Sequence, residues 1–224
     1  MVSLQQVKAG FVADDFFLMA NDDALSRPRL AERILALGLA GALLGELLLY
    51  DGVVGVDKGN LVLTSSRRPS NLLHAELCRE VEAEAALRPV RDWLDYLSKQ
   101  SIDMVGRRLQ ARGVVYLKQP RLKVPGRAGR WLPVGMQIAN WPAIDVARKI
   151  YNGNAKTSTL LLFGLTHATS LDNPDLHPIR HLLTDPELLE QTLSPLAAFD
   201  PAFMDLLAQT EAAVGSAVTS QRRS

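Results

Sequence analysis

The stretch ILALGLAGALLGELLLY, residues 34–50, decides the fold class. Leu30, Ile34, Leu37, Leu44 and Leu48 recur at helical intervals, and Leu35, Leu39, Leu43 and Leu47 add a second apolar stripe, so the segment reads as a helix apolar on more than one face. Such a helix is normally wrapped by others and belongs at the centre of a molecule. Gly38, Gly41, Gly45 and Glu46 interrupt it, and it falls short of the ~20 apolar residues that a bilayer crossing needs. It therefore reads as a buried core helix. The glycines lack the preceding strand of a nucleotide loop and read instead as points where another helix comes close. Arg27-Pro28 is expected to open the helix, since proline suits a first turn, and Asp51-Gly52 to end it.

Beyond this helix, Val53–Val56 and Leu61–Leu63 flank Lys58-Gly59-Asn60 and predict a short β-hairpin with a glycine turn. Amphipathic helices are expected over about Ser70–Ala86, Pro89–Leu97 and Ser101–Arg112, with Ser101 as a cap and Gly113 as a left-handed stop. A second hairpin follows, rising through Val114–Leu117, turning through residues 120–130 and returning through Trp131–Val134. In the C-terminal third, Asn140-Trp141-Pro142 begins a helix, Thr157–Thr169 is apolar, Thr184–Glu187 has capping-box spacing, Pro195 and Pro201 punctuate the last helices, and residues 218–224 should fray. The expectation is a mainly α, single-domain fold, residues 1–224, around a central apolar helix, with small β-hairpins, one of them projecting and basic. Strand and helix units do not alternate, which argues against a doubly wound parallel sheet. Cys78 stands alone, which excludes an internal disulfide framework and fits a reducing compartment, and the acidic N-terminus, with Asp14, Asp15, Asp22 and Asp23, reads as mature cytoplasmic chain rather than an export signal.

A formal net charge of +1 hides an asymmetry. Between Met104 and Ile144 there is no Asp or Glu, yet Arg107, Arg108, Arg112, Lys118, Arg121, Lys123, Arg127 and Arg130 all fall there. One cationic segment on an acidic body points to a polyanionic partner, a phosphate-bearing membrane or a nucleic acid. Four of these cations lie in RLKVPGRAGR, residues 121–130, whose glycines and proline mark a loop tip, and Trp131-Leu132 adjoins it. Tryptophan favours the boundary between headgroups and acyl chains, so Trp131 is expected to dip into a bilayer beside Lys123, Arg127 and Arg130.

No catalytic signature is present, and no pattern calls for a cofactor. His177 and His181 have the spacing of metal ligands, but Pro178 lies between them and no third ligand accompanies them. His74 and His167 sit among apolar residues and read as satisfied interior or interface histidines, and Thr64, Ser65 and Ser66 read as the end of a strand.

The segments VADDFFLMA (12–20), LGLAGALLGELLLYDGVV (37–54), RDWLDYLSK (91–99), RRLQARGVV (107–115) and LLFGLTHATSL (161–171) resemble, in that order, the Golgi phosphoprotein 3 family. The resemblance implies a mostly helical, non-enzymatic peripheral membrane protein of the shorter prokaryotic type, with eukaryotic relatives that bind phosphatidylinositol 4-phosphate and act as adaptors for the cytosolic tails of membrane enzymes. Carried onto this chain, the family's headgroup pocket changes character. Its arginine falls on Ala40, its tryptophan on Ala31, and its Arg-x-x-Arg pair on Lys99 and Ile102. Arg33, seven residues before Ala40, lies on nearly the same helical face and joins Lys99 in an expected anion site. The first reading is thus an anionic-phospholipid-binding adaptor using Arg33, Lys99, Arg107, Arg108, Lys123, Arg127, Arg130 and Trp131, with hairpin edges that could pair between chains into a homo-oligomer. The alternative is a winged-helix-like nucleic-acid binder whose recognition helix carries Arg107, Arg108 and Arg112; the acidic remainder and a lone base-reading candidate, Gln110, disfavour it.

Overall fold

In a computed structural model, which describes residues 10–22, 27–51, 54–64, 69, 71–84, 88–119 and 129–221, the apolar run forms the helix around which the others assemble. Helix α1 (Val12–Met19) leads through a two-residue antiparallel bridge, β1 (Asn21–Asp22) with β2 (Arg27–Pro28), into the central helix α2 (Glu32–Glu46). Here the structure corrects the expected start at Arg27-Pro28. Pro28 pairs with Asn21, and the Arg29 amide donates to the Ala20 carbonyl at 2.7 Å, so the chain stays extended and helix begins after Ala31. Every residue from Leu35 to Glu46 is buried, and the helix closes in a wider π turn at Leu47–Asp51.

The hairpin β3 (Val54–Asp57) and β4 (Asn60–Leu63) turns at Lys58 and Gly59, both with positive φ, as a tight two-residue connection requires. After α3 (Leu72–Ala83), β5 (Arg88–Pro89) adds a short third strand beside β4 and runs into α4 (Val90–Ser98), followed by α5 (Ser101–Ala111). At the end of α5, Gly113 takes φ 71° while the Val114 amide reaches back to the Leu109 carbonyl, the left-handed stop its position suggested. The second hairpin, β6 (Val115–Lys118) with β7 (Arg130–Pro133), pairs Leu117 with Trp131 and Lys118 with Arg130. Helices α6 (Met136–Tyr151), α7 (Thr157–Ala168), α8 (Arg180–Thr184, after a 3-10 turn over Pro174–Ile179), α9 (Pro186–Phe199) and α10 (Ala202–Gln221) complete the described chain, which is mainly α.

Helices α1, α4, α5, α7 and α10 all pack on α2. The α2 glycines make this approach possible: a Cβ on Gly38 would fall 2.5 Å from the Phe16 ring, one on Gly41 2.7 Å from Thr210 Oγ1, and one on Gly45 2.6 Å from Leu161 Cδ2. Each glycine thus admits a side chain of a different neighbour, α1, α10 and α7 respectively.

Other local expectations shift for visible reasons. Ser101 does not cap its own helix; its hydroxyl, buried where α5 crosses α2, donates to the Ala36 carbonyl at 2.8 Å. Helix α6 starts four residues before Asn140 and holds Pro142 inside it, with buried Ile138 and Ala139 securing the early turn against the core. The cap of α9 is Asp185, whose carboxylate accepts from the amides of Glu187 and Leu188 at 3.0 and 3.2 Å, while the Thr184 hydroxyl turns back to the Arg180 and His181 carbonyls. Pro195 lies within α9, and α10 stays helical through Gln221 rather than fraying from residue 218.

Leu43, fully buried in α2, should on replacement by alanine destabilise the fold by about 2–5 kcal/mol in urea denaturation. Gly38→Ala, which forces the Phe16 ring and Thr169 away from α2, should cost about 1–3 kcal/mol in the same assay.

Candidate functional site

Glu46, the one charged residue of the apolar run, is completely buried and is answered by four hydrogen bonds from three residues. Its Oε1 accepts the backbone amide of Ala13 at 2.7 Å and Arg108 Nη2 at 3.0 Å; its Oε2 accepts Arg108 Nη1 and His74 Nε2, each at 2.8 Å. Arg108 Nε donates to buried Asp14 at 2.7 Å, Arg112 donates to the other oxygen of Asp14, and the Phe11 ring lies 4.6 Å below the Arg108 guanidinium. Burial raises the Asp14 carboxyl above its ordinary value in spite of the opposing charge of Arg108. For Glu46, burial pushes the same way, but the hydrogen bonds of His74 and Arg108 and the Arg108 charge together outweigh it, and its carboxyl titrates below the ordinary glutamate value. This network joins α1, α2, α3 and α5, and it consumes Arg108 of α5 and Arg112 at its C-cap.

On another side of α2 a cleft of about 870 Å³ opens between the start of that helix, the junction of α4 and α5, and β7. Arg33, Lys99 and Arg130 line it, arriving from those three places. Arg33 is half-buried, donating to Ser98 Oγ and to Asp95 Oδ1, while Ser98 Oγ donates to the Asp95 carbonyl at 2.8 Å. Lys99 and Arg130 are exposed. Phe17, Leu30, Leu35, Ile102 and Leu132 give the cleft an apolar wall, and Glu32 and Asp103 add carboxylates. The arrangement can hold a phosphate at cations while an attached apolar portion lies against carbon.

Of the residues singled out in the sequence, the structure therefore brings Arg33, Lys99, Arg130 and Trp131 to one cleft. Arg107 is exposed on α5 and does not line it. Arg108 is removed from the surface, held inside by Glu46 and Asp14. Trp131 is also corrected: only 7% exposed, it lies flat on Gly106 of α5, where a Cβ would fall 2.6 Å from its ring, and its Nε1 donates to Asp103 at 2.9 Å. It anchors the hairpin to the body and is not presented to a bilayer. Lys123 and Arg127 lie outside the described residues, as do Ser65 and Ser66. Ala40 is fully buried, Ala31 is exposed at the α2 N-cap, and Ile102 lines the cleft, so Arg33 is the cation that α2 contributes. Sequence reasoning missed Glu32, Asp95, Ser98 and Asp103; Ser98 and Asp95 lie more than 60 residues from Arg33, and no periodicity connects them. His74 is an interior histidine, as expected, and half-buried His167 places Nδ1 3.1 Å from the Leu183 carbonyl. His177 and His181 are exposed.

Arg108→Met would strand two buried carboxylates and should destabilise by about 3–5 kcal/mol in chemical denaturation. Asp15, beside Asp14, is pushed up to about 8 by burial first and by the Asp14 charge next. An acid with a raised native pKa holds its proton in the folded state after the unfolded chain has lost it, so stability falls as pH rises from about 4 towards 8. Asp15→Asn should flatten that fall in denaturation curves taken across the window. On the acid side, the lowered Glu46 contributes stability that is lost as pH drops through its native value.

Among the described residues, no helix is long and apolar enough to cross a membrane. No curated protein sequence matches the chain. The family model Golgi phosphoprotein 3 (GPP34) matches residues 12–209, from the first residue of α1 into α10, and the chain belongs to that family.

Proposed function

We propose that this protein is a non-enzymatic peripheral membrane protein on the cytoplasmic face, which binds anionic phospholipid headgroups in the cleft and serves as an adaptor for the cytosolic tails of membrane proteins. The observation that carries the reading is the convergence of Arg33, Lys99 and Arg130, from three separate elements, on one cleft with an apolar wall. The family is known for lipid binding. Near an anionic leaflet each Lys or Arg contributes about 1 kcal/mol, so these three, with exposed Lys118 paired to Arg130 across the hairpin, suffice for reversible, salt-sensitive association. Phosphatidylinositol 4-phosphate receives no special recognition in this reading, because Ala40 is buried and Ala31 and Ile102 bring no charge to the family's pocket positions. The enzymatic alternative has little to work with, since His74, Glu46, Asp14 and Arg108 are turned on one another in the interior. The nucleic-acid alternative loses its recognition helix, because Arg108 of α5 and Arg112 at its C-cap bind Asp14 and Glu46 and leave Arg107 facing outward.

Flotation with vesicles tests the proposal. The parent should float with anionic vesicles, not with vesicles of phosphatidylcholine alone, and should lose binding steeply above about 0.1 M salt, where exposed charges more than ~10 Å apart are screened. The double variant Lys99→Glu, Arg130→Glu should lose at least about tenfold in vesicle affinity while its thermal unfolding stays near that of the parent, both side chains being exposed. A variant that floats as the parent does, or a parent that retards DNA but ignores anionic vesicles at matched salt, overturns the reading.

A further inference from the structure

The polar lining of the cleft is mixed: Arg33, Lys99 and Arg130 share it with Glu32 and Asp103. Two of the five are already engaged. Arg33 is held by Asp95 and Ser98, and Asp103 accepts the Trp131 indole N–H. The exposed Lys99, Arg130 and Glu32 make no ion pair among the described residues, which leaves two cations and one carboxylate facing the same space. An anionic ligand with no positive group would set its charge against Glu32. A ligand that places an ammonium there answers all three.

We propose that the cleft selects headgroups that carry both a phosphodiester and an ammonium group, of the phosphoethanolamine or phosphoserine kind, with the phosphate held by Lys99 and Arg130 and the ammonium by Glu32. The inference rests on the reading of the cleft as a headgroup site and names the chemistry it takes. Like-charge contact in a cleft that partly excludes water works against polyanionic headgroups, and the same Glu32 that repels them attracts the amine. Glu32 also sits in the first turn of α2, where a negative charge suits the helix dipole. That role acts on the helix alone and discriminates between no two ligands, so the two roles separate by experiment.

Titration calorimetry of the full chain with glycerophosphoethanolamine and with glycerophosphoglycerol compares two phosphodiesters that differ in the ammonium. The parent should bind the ethanolamine compound about fivefold more tightly, the scale of one exposed ion pair, and Glu32→Gln should abolish the difference while keeping the glycerophosphoglycerol affinity at least that of the parent. Equal affinities in the parent, or a preference that survives in Glu32→Gln, overturn the inference and leave the phosphate reading standing. Failure of both compounds to bind the parent overturns the phosphate reading itself. A second arm uses vesicles of fixed phosphatidylglycerol content whose remaining lipid is either phosphatidylethanolamine, whose primary ammonium can donate to the Glu32 carboxylate, or phosphatidylcholine, whose bulky trimethylated nitrogen has no N–H to donate. Tighter binding to the ethanolamine vesicles assigns the chemistry to a membrane lipid; a preference confined to the soluble compounds supports the amine-plus-phosphate chemistry and overturns the membrane as its source.

Discussion

A glutamate inside an apolar helix has to be answered, and the way Glu46 is answered determines how this protein packs. Removing a carboxylate from water is tolerated only when its lone pairs meet donors. Here they meet the Ala13 amide, two nitrogens of Arg108 and one of His74. Those partners come from the start of α1, from α5 and from α3, so the position of one side chain specifies how four helices meet. Asp14 closes the network by taking Arg108 Nε and Arg112. The glycines of α2 complement it, since they let α1, α7 and α10 come close enough for apolar contact to form around the charges.

The same network sets up the cleft from a distance. Once Arg108 and Arg112 point inward, the helical repeat of α5 carries Ile102, Asp103 and Gly106 round to another face. Gly106 leaves room for the Trp131 ring, and Asp103 takes its indole N–H, so the root of the β6–β7 hairpin is seated on α5. Arg130, next to Trp131, is thereby brought to the cleft that Arg33 and Lys99 line from the other helices. A buried ionic contact on one side of α5 and an aromatic contact on the other thus place three cations from distant parts of the chain around a common space.

Much of this was legible in the sequence, for reasons that can be named. Apolar periodicity located α2, α4 and α5, and the left-handed glycines at 59 and 113 marked a hairpin turn and a helix stop. The family resemblance carried pocket positions onto Ala40 and Lys99, Arg33 was joined to them because it shares a helical face with Ala40, and the structure puts Arg33 and Lys99 on the cleft. The failures share one cause. Arg107, Arg108 and Arg112 look alike along the chain, and what separates them is whether Asp14 or Glu46, more than 60 residues away, lies opposite. Trp131 looked like a membrane anchor because its partners, Gly106 and Asp103, lie on a different element, and Glu46 looked like a mere interruption. Tertiary partners likewise drew Ser101 to the Ala36 carbonyl and away from the cap it resembles.

The central claim is that the cleft walled by α2, the α4–α5 junction and β7 is where the protein meets lipid. Hydrogen–deuterium exchange, recorded with and without anionic vesicles, tests it most directly. Added protection is expected at Glu32–Leu35, Ser98–Asp103 and Arg130–Leu132, with α9 unchanged. Protection concentrated on α9, or none anywhere under conditions in which the protein co-floats with the vesicles, would contradict it.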